Sequence, residues 1–221
     1  MRPELNYPLR RHQLVRISPA AWRRVVGVAV DEQARAWLAE WAAFDWPLIA
    51  RRACVEEKDG VALGIPLPPS AGKRRLAVNA TAQDVVSACR LPTLGDVIAI
   101  APAAWHPCLQ SLDKLARAFG VNAGVFGSLA WQFLTGTTYL TPASDLDIAW
   151  SMPAPESLRE FLRQLARVEC GAPMRLDGEI IRKDGAAVNW REIWLGHRTL
   201  AVKTCNAVVD WTPGMFLRGA A

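Results

Sequence analysis

From Trp105 onward the chain alternates between two apolar rhythms, one with helical spacing and one with strand spacing, and that alternation restricts the fold more than any single motif. In "AAWHPCLQSLDKLARAFG", Trp105, Leu109, Leu112, Leu115 and Ala116 recur on one helical face, and Gly120 ends the run. "VNAGVFG" then reads as a short strand, "SLAWQFLTG" as a helix and "DLDIAWS" as a strand. "APESLREFLRQLARVEC" is a further helix, with Pro155 near its start and Arg163 and Arg167 toward its end. "MRLDGEIIR", "AAVNWREIWL" and "TLAVKTC" complete the pattern as strands. Helices and strands in this order predict a central mixed sheet flanked by helices.

The first half has a different grammar. "DEQARAWLAEWAAFDW" places Ala34, Trp37, Leu38 and Trp41 at helical spacing behind an acidic first turn, and Pro47 stops it. "PLIARRACV" is short, apolar and strand-like, and "GVALGIPLPPSAGKRRLAV" has so many Gly and Pro that it reads as strand, turn and strand. The fold class expected is α+β. Residues 1–97 form a mixed N-terminal domain and residues 98–221 a second domain, with the boundary set by the ambiguous stretch near Pro92 to Pro102.

Composition bounds the partners. The chain has 221 residues, 51% of them hydrophobic and 21% charged, enough apolar side chains for a folded core. A net charge of +5 favours an anionic partner. The excess is spread along the chain without a Lys/Arg tail, so no nucleic-acid partner is expected. No stretch reaches the roughly 20 apolar residues of a spanning helix, and the N-terminus has no signal-peptide pattern, so a soluble cytoplasmic protein without a membrane partner is expected. Cys54, Cys89, Cys108, Cys170 and Cys205 include no Cys-x-x-Cys pair and read as reduced, mostly buried thiols. Most of the ten Trp are expected to be packing residues, and His12, His106 and His197 structural.

The chemistry concentrates in "VFGSLAWQFLTGTTYLTPASDLDIAW". Asp145 and Asp147, two apart on a strand, share a face while Leu146 and Ile148 enter the core. Carboxylates that close raise one another's pKa unless a cation sits between them. Mg²⁺ suits such a pair, since it takes oxygen ligands from one or two carboxylates together with substrate phosphates. Gly127 allows close approach of a phosphate, and Ser128 stands where a helix N-terminus offers free N–H groups. The plain alternatives are Ser128 as a helix cap and Ser144-Asp145 as a turn. A third carboxylate is expected from "MRLDGEIIR". Asp177 is the choice and Glu179 the substitute, unless Asp177-Gly178 is merely a hairpin turn.

Gly127-Ser128 followed by Ser144-Asp145-Leu146-Asp147 resembles the signature of the DNA-polymerase-β-like nucleotidyltransferases. The spacing between the two blocks is longer than in many small members, which implies an extended loop, "GTTYLTPA", near the site. A closer resemblance runs through "RHQLVRI", "PLIARR", "GVALGIPLPP" with "GKRR", "VFGSLAWQFLTG", "SDLDI", and "RLDGE" with "GAAVNWRE". These blocks look like the phosphoribosyl-dephospho-CoA transferases of bacterial malonate decarboxylase, also called malonate decarboxylase holo-[acyl-carrier-protein] synthases. The resemblance implies transfer of a prosthetic group from triphosphoribosyl-dephospho-CoA to a serine of the apo acyl-carrier subunit, with pyrophosphate leaving.

It further implies Asp145, Asp147 and Asp177 as metal ligands and catalytic residues, with Asp177 as proton acceptor and Gly127 and Ser128 holding phosphates. The cations expected to bind the donor are Arg51, Arg52, Lys73, Arg74, Arg75 and Lys203. Arg51 and Arg52 stand out, since alternation along their apolar run sends one inward. The alternative keeps the nucleotidyltransferase chemistry and changes the acceptor to a small molecule or a toxin–antitoxin partner.

Overall fold

A computed structural model describes residues 9–53, 57 and 60–218, which fall into two compact units, Met1–Arg90 and Leu91–Ala221. Cys54 lies outside the described residues. The units divide seven residues before the expected 97/98 boundary, by the difference of the two positions. Leu94 and Val97 are buried in the core of the second unit, which draws the ambiguous stretch into it.

In the first unit, β1 (Leu14–Ile17) leads into α1 (Pro19–Gly27) and α2 (Glu32–Ala43). Ser18 and Asp31 cap these helices by accepting from Ala21 N–H and Ala34 N–H, so each helix begins where a side-chain oxygen satisfies a free amide. β2 (Leu48–Ala50), β3 (Val61–Pro66), β4 (Arg75–Ala80) and β5 (Val85–Cys89) follow. These five strands pair antiparallel in the order β4-β3-β2-β1-β5. The strand expected over "PLIARRACV" is shorter than its apolar run, because β2 closes at Ala50. Arg51 then turns its guanidinium onto the Glu57 carboxylate and the Leu63 carbonyl.

The second unit holds α3 (Leu94–Val97), α4 (His106–Phe119), β6 (Ala123–Phe126), α5 (Gly127–Thr135) and β7 (Leu146–Ser151). It continues with α6 (Leu158–Cys170), β8 (Leu176–Ile181), β9 (Ala187–Asn189) and α7 (Trp190–Trp194). β10 (Leu200–Lys203), β11 (Val208–Trp211) and α8 (Pro213–Arg218) complete it. The six strands run in the order β11-β10-β9-β8-β7-β6. Among the described residues only β7 and β8 pair in parallel, and α6 supplies the crossover that a parallel pair requires.

Alternation in β7 and β8 sorts their side chains. Leu146, Ile148, Trp150, Leu176 and Ile180 enter the core, where Trp150 meets Phe161 of α6 edge-on at 5.3 Å. Gly178 is fixed by contact: a Cβ there would lie 2.3 Å from the Ile148 carbonyl oxygen. That places Asp177-Gly178 inside a strand and excludes the hairpin turn.

Three sequence expectations change. "AAVNWREIWL" splits into β9 and α7, because Asn189 accepts from Arg191 N–H and caps a helix at Trp190. Asp145 stands just ahead of β7 rather than on it. Of the four described cysteines Cys108 is buried, whereas Cys170 and Cys205 are exposed at a helix end and beyond β10, so the thiols are not mostly buried. The packing role of Trp holds for Trp22, Trp41, Trp105, Trp131, Trp150 and Trp190, all buried.

Trp150→Ala is expected to destabilise the second unit by about 3–5 kcal/mol through cavity formation. Urea unfolding followed by tryptophan fluorescence or circular dichroism measures the lowered midpoint.

Candidate active site

The site begins with strand register. β7 and β8 pair so that Asp147 stands opposite Asp177 and Ala149 opposite Glu179. Both aspartates therefore project from the face opposite Trp150. Asp145, half-buried at the entrance to β7, joins them. Its approach is shaped by a turn in which the Ser144 hydroxyl accepts from Thr141 N–H. Ser144 thus closes a turn, and the carboxylate after it remains available to the site.

Gly127 opens α5 with φ +68°, in the left-handed region that favours glycine. A Cβ on it would sit 1.9 Å from Asp147 Oδ2, so the Asp147 carboxylate occupies the space that glycine leaves. Phe126 is the residue before the helix and makes no side-chain cap, and Ser128 lies within the first turn. Ser128 is therefore not the helix cap. The first amides of α5 stand beside the carboxylates, in a position suited to anions.

The loop between α5 and Asp145 is tied to the same helix: Gln132 Oε1 accepts from the backbone N–H groups of Tyr139 and Leu140, each at 3.1 Å, and Tyr139 is buried. This is the extended "GTTYLTPA" loop expected from the spacing.

Two arginines missing from the candidate set complete the cluster. Arg175 reaches Asp177 Oδ2 at 3.2 Å and Asp145 Oδ2 at 3.9 Å. Arg191 lies 3.8 Å from Asp177 Oδ1, pairs with Glu169 and stacks on Trp190 at 4.8 Å. Asp177 Oδ1 also accepts from Gly178 N–H and Asn189 Nδ2, both at 2.8 Å. The sequence held one signal for Arg175, its place two residues before Asp177. Arg191 became visible only once α7 formed.

Glu179, the substitute third carboxylate, is buried and accepts a hydrogen bond from Lys203 Nζ at 2.7 Å. The same bond engages Lys203, expected at the donor, within the sheet. Arg51, Arg52, Lys73, Arg74 and Arg75 all belong to the first unit. There Arg51 is paired with Glu57 and Arg74 with Asp31 and Gln33, while Arg52, Lys73 and Arg75 are exposed.

Burial pushes the Asp147 carboxyl up to about 7, and the Asp177 and Asp145 charges push the same way while Arg175 opposes them. Such a surplus of negative charge on hard oxygen donors fits a divalent cation. Among the described residues no three His, Cys, Asp or Glu side chains form a ready metal cage. Mg²⁺ does not require one, since phosphate and water oxygens fill much of its shell.

A helix opening on glycine, set against paired strands that carry apposed aspartates, defines an enzyme of the nucleotidyltransferase-like class. The chain belongs to the phosphoribosyl-dephospho-CoA transferase (MdcG) family: it matches the family's N-terminal domain over residues 10–90 and its C-terminal domain over residues 93–212. It is 46% identical over 213 residues to a phosphoribosyl-dephospho-CoA transferase of Bradyrhizobium diazoefficiens, covering 96% of this chain and 94% of the relative. A relative of the same description from Xanthomonas euvesicatoria is 41% identical over 184 residues, 82% of this chain and 84% of the other. One from Pseudomonas aeruginosa is 28% identical over 194 residues, 80% and 86% of the two chains. No solved structure matches. Among the described residues no helix is long and apolar enough to cross a membrane.

Gly127→Ala is expected to retain the fold and to lower transferase activity about 100-fold, since the added methyl group displaces the Asp147 carboxylate by an ångström or more. Steady-state rates beside a thermal melt separate the two effects.

The raised Asp147 pKa also has a consequence for stability. The folded state keeps a proton that the unfolded chain loses near its ordinary value of 3.8, so this contribution is present below that value and is lost as pH rises through about 7. Asp147→Asn in ligand-free protein is expected to raise the melting temperature at about pH 8.5 and leave it unchanged at about pH 3.5.

Proposed function

We propose that the chain transfers the phosphoribosyl-dephospho-CoA group from 2'-(5''-triphosphoribosyl)-3'-dephospho-CoA to a serine of the apo acyl-carrier subunit of malonate decarboxylase, releasing pyrophosphate in the cytoplasm. The observation that carries this reading is the parallel register that sets Asp147 opposite Asp177, with Asp147 lodged against Gly127. The kinship with transferases of phosphoribosyl-dephospho-CoA supports the donor.

In this reading the first amides of α5, at Gly127 and Ser128, take the departing phosphates. Asp145, Asp147 and Asp177 are the residues that would hold Mg²⁺. When bound, the ion supplies charge neutralisation for the triphosphate. The serine hydroxyl of the carrier forms a bond to the α-phosphorus as the bond from that phosphorus to the pyrophosphate oxygen breaks. Asp177 accepts the hydroxyl proton, and its Oδ1 is steadied for that task by Gly178 N–H and Asn189. Arg175 and Arg191 add positive charge beside the transferred group. The basic side chains of the first unit, Arg52, Lys73 and Arg75 in particular, provide exposed charge for the CoA-derived donor or an acidic carrier.

Incubation with Mg²⁺, apo carrier and triphosphoribosyl-dephospho-CoA is expected to add the prosthetic group to the carrier, read by intact mass. Asp145→Ala and Asp147→Ala are expected to abolish the gain while the fold survives. Labelling at the normal rate by either variant refutes the metal assignment. Labelling from ATP without the CoA derivative instead supports a nucleotidyltransferase with another acceptor.

A further inference from the structure

The two oxygens of Asp177 meet partners of opposite character. Oδ1 accepts from two fixed donors, Gly178 N–H inside β8 and Asn189 at the cap of α7, and Arg191, held by Glu169 and the Trp190 ring, stands 3.8 Å away as an ion-pair partner. Oδ2 faces Arg175, whose side chain is 60% exposed and stands just before β8. The guanidinium bridges two of the three carboxylates, with Nη2 at Asp177 and Nη1 toward Asp145.

An exposed pair of this kind is weak, because water competes for both charges and the long side chain gains rotamer freedom on leaving. A guanidinium that is released is also suited to a phosphate, which it grips through two parallel hydrogen bonds. The fixed donors on Oδ1 keep the Asp177 carboxylate in place whether or not Arg175 stays.

We propose that Arg175 is a placeholder cation: it neutralises Asp145 and Asp177 while the site is free of donor, and it turns to the donor's phosphates when a divalent cation enters. This rests on the metal reading above, and assigns Arg175 two successive partners. Gly178 N–H and Asn189 keep Asp177 aligned during the exchange.

The test is Mn²⁺ binding to the full-length, substrate-free protein, followed by electron paramagnetic resonance or calorimetry, with inorganic triphosphate as the phosphate probe. Arg175→Ala is expected to bind Mn²⁺ about fivefold more tightly than the wild type, the gain expected on removing an exposed competing charge. The same variant is expected to bind triphosphate about tenfold more weakly at saturating Mn²⁺, with Arg175→Lys in between. Thermal melts check that both variants fold. Unchanged or weaker Mn²⁺ binding by Arg175→Ala overturns the placeholder role and leaves the metal reading standing. Tighter Mn²⁺ binding with unaltered triphosphate affinity overturns the exchange of partners. Absence of Mn²⁺ binding by both wild type and variant overturns this proposal and the metal reading together.

Discussion

One parallel pairing, β7 against β8, holds the site together. It sets Asp147 and Asp177 side by side and sends Ile148, Trp150 and Ile180 into the core from the same two strands. The apolar half of each strand stabilises what the acidic half opposes, because carboxylates in register repel. The core side chains are large, and Trp150 and Phe161 interlock behind the acidic face. Their burial holds the register against that repulsion.

Charge around the pair is arranged in tiers. Asp147 is strained: it is half-buried against Gly127, and desolvation and the charges of Asp177 and Asp145 oppose its ionisation. Asp177 is better supported, through Gly178, Asn189 and the two arginines. Glu179 is withdrawn from this competition by Lys203. A single acidic face thereby offers three environments: strained, supported and neutralised. These differences separate the carboxylates gathered beside Gly127 from the one tied to Lys203 within the sheet.

Much of this was legible in the sequence. The alternating periods gave the helices and strands around the site, and Asp-Leu-Asp with Gly-Ser marked its acidic strand and the helix that opens against it. The pairing partner of Asp147 was readable only as a chemical expectation, since which strand lies beside β7 depends on the α6 crossover. Lys203 and Glu179 were each singled out, yet no local pattern joins residues 24 positions apart. Asn189 and Arg191 were hidden for a different reason. Their run of β-formers reads as strand, and the helix cap at Asn189 overrides that propensity. Arg51 shows the converse: its apolar neighbours imply an inward cation, and the partner is Glu57, a carboxylate of its own domain.

Gln132 connects parts of the site that the chain keeps apart. Its side-chain oxygen takes two amides from the stretch that leads to Asp145, so the helix that opens on Gly127 beside Asp147 also anchors the approach to the first aspartate. Slippage of that helix along its axis would drag both together. A change in the length of the linker costs least at its exposed points on either side of the anchor, at Gly136, Thr138, Pro142 and Ala143, and most at Tyr139 and Leu140, where it breaks the Gln132 bonds.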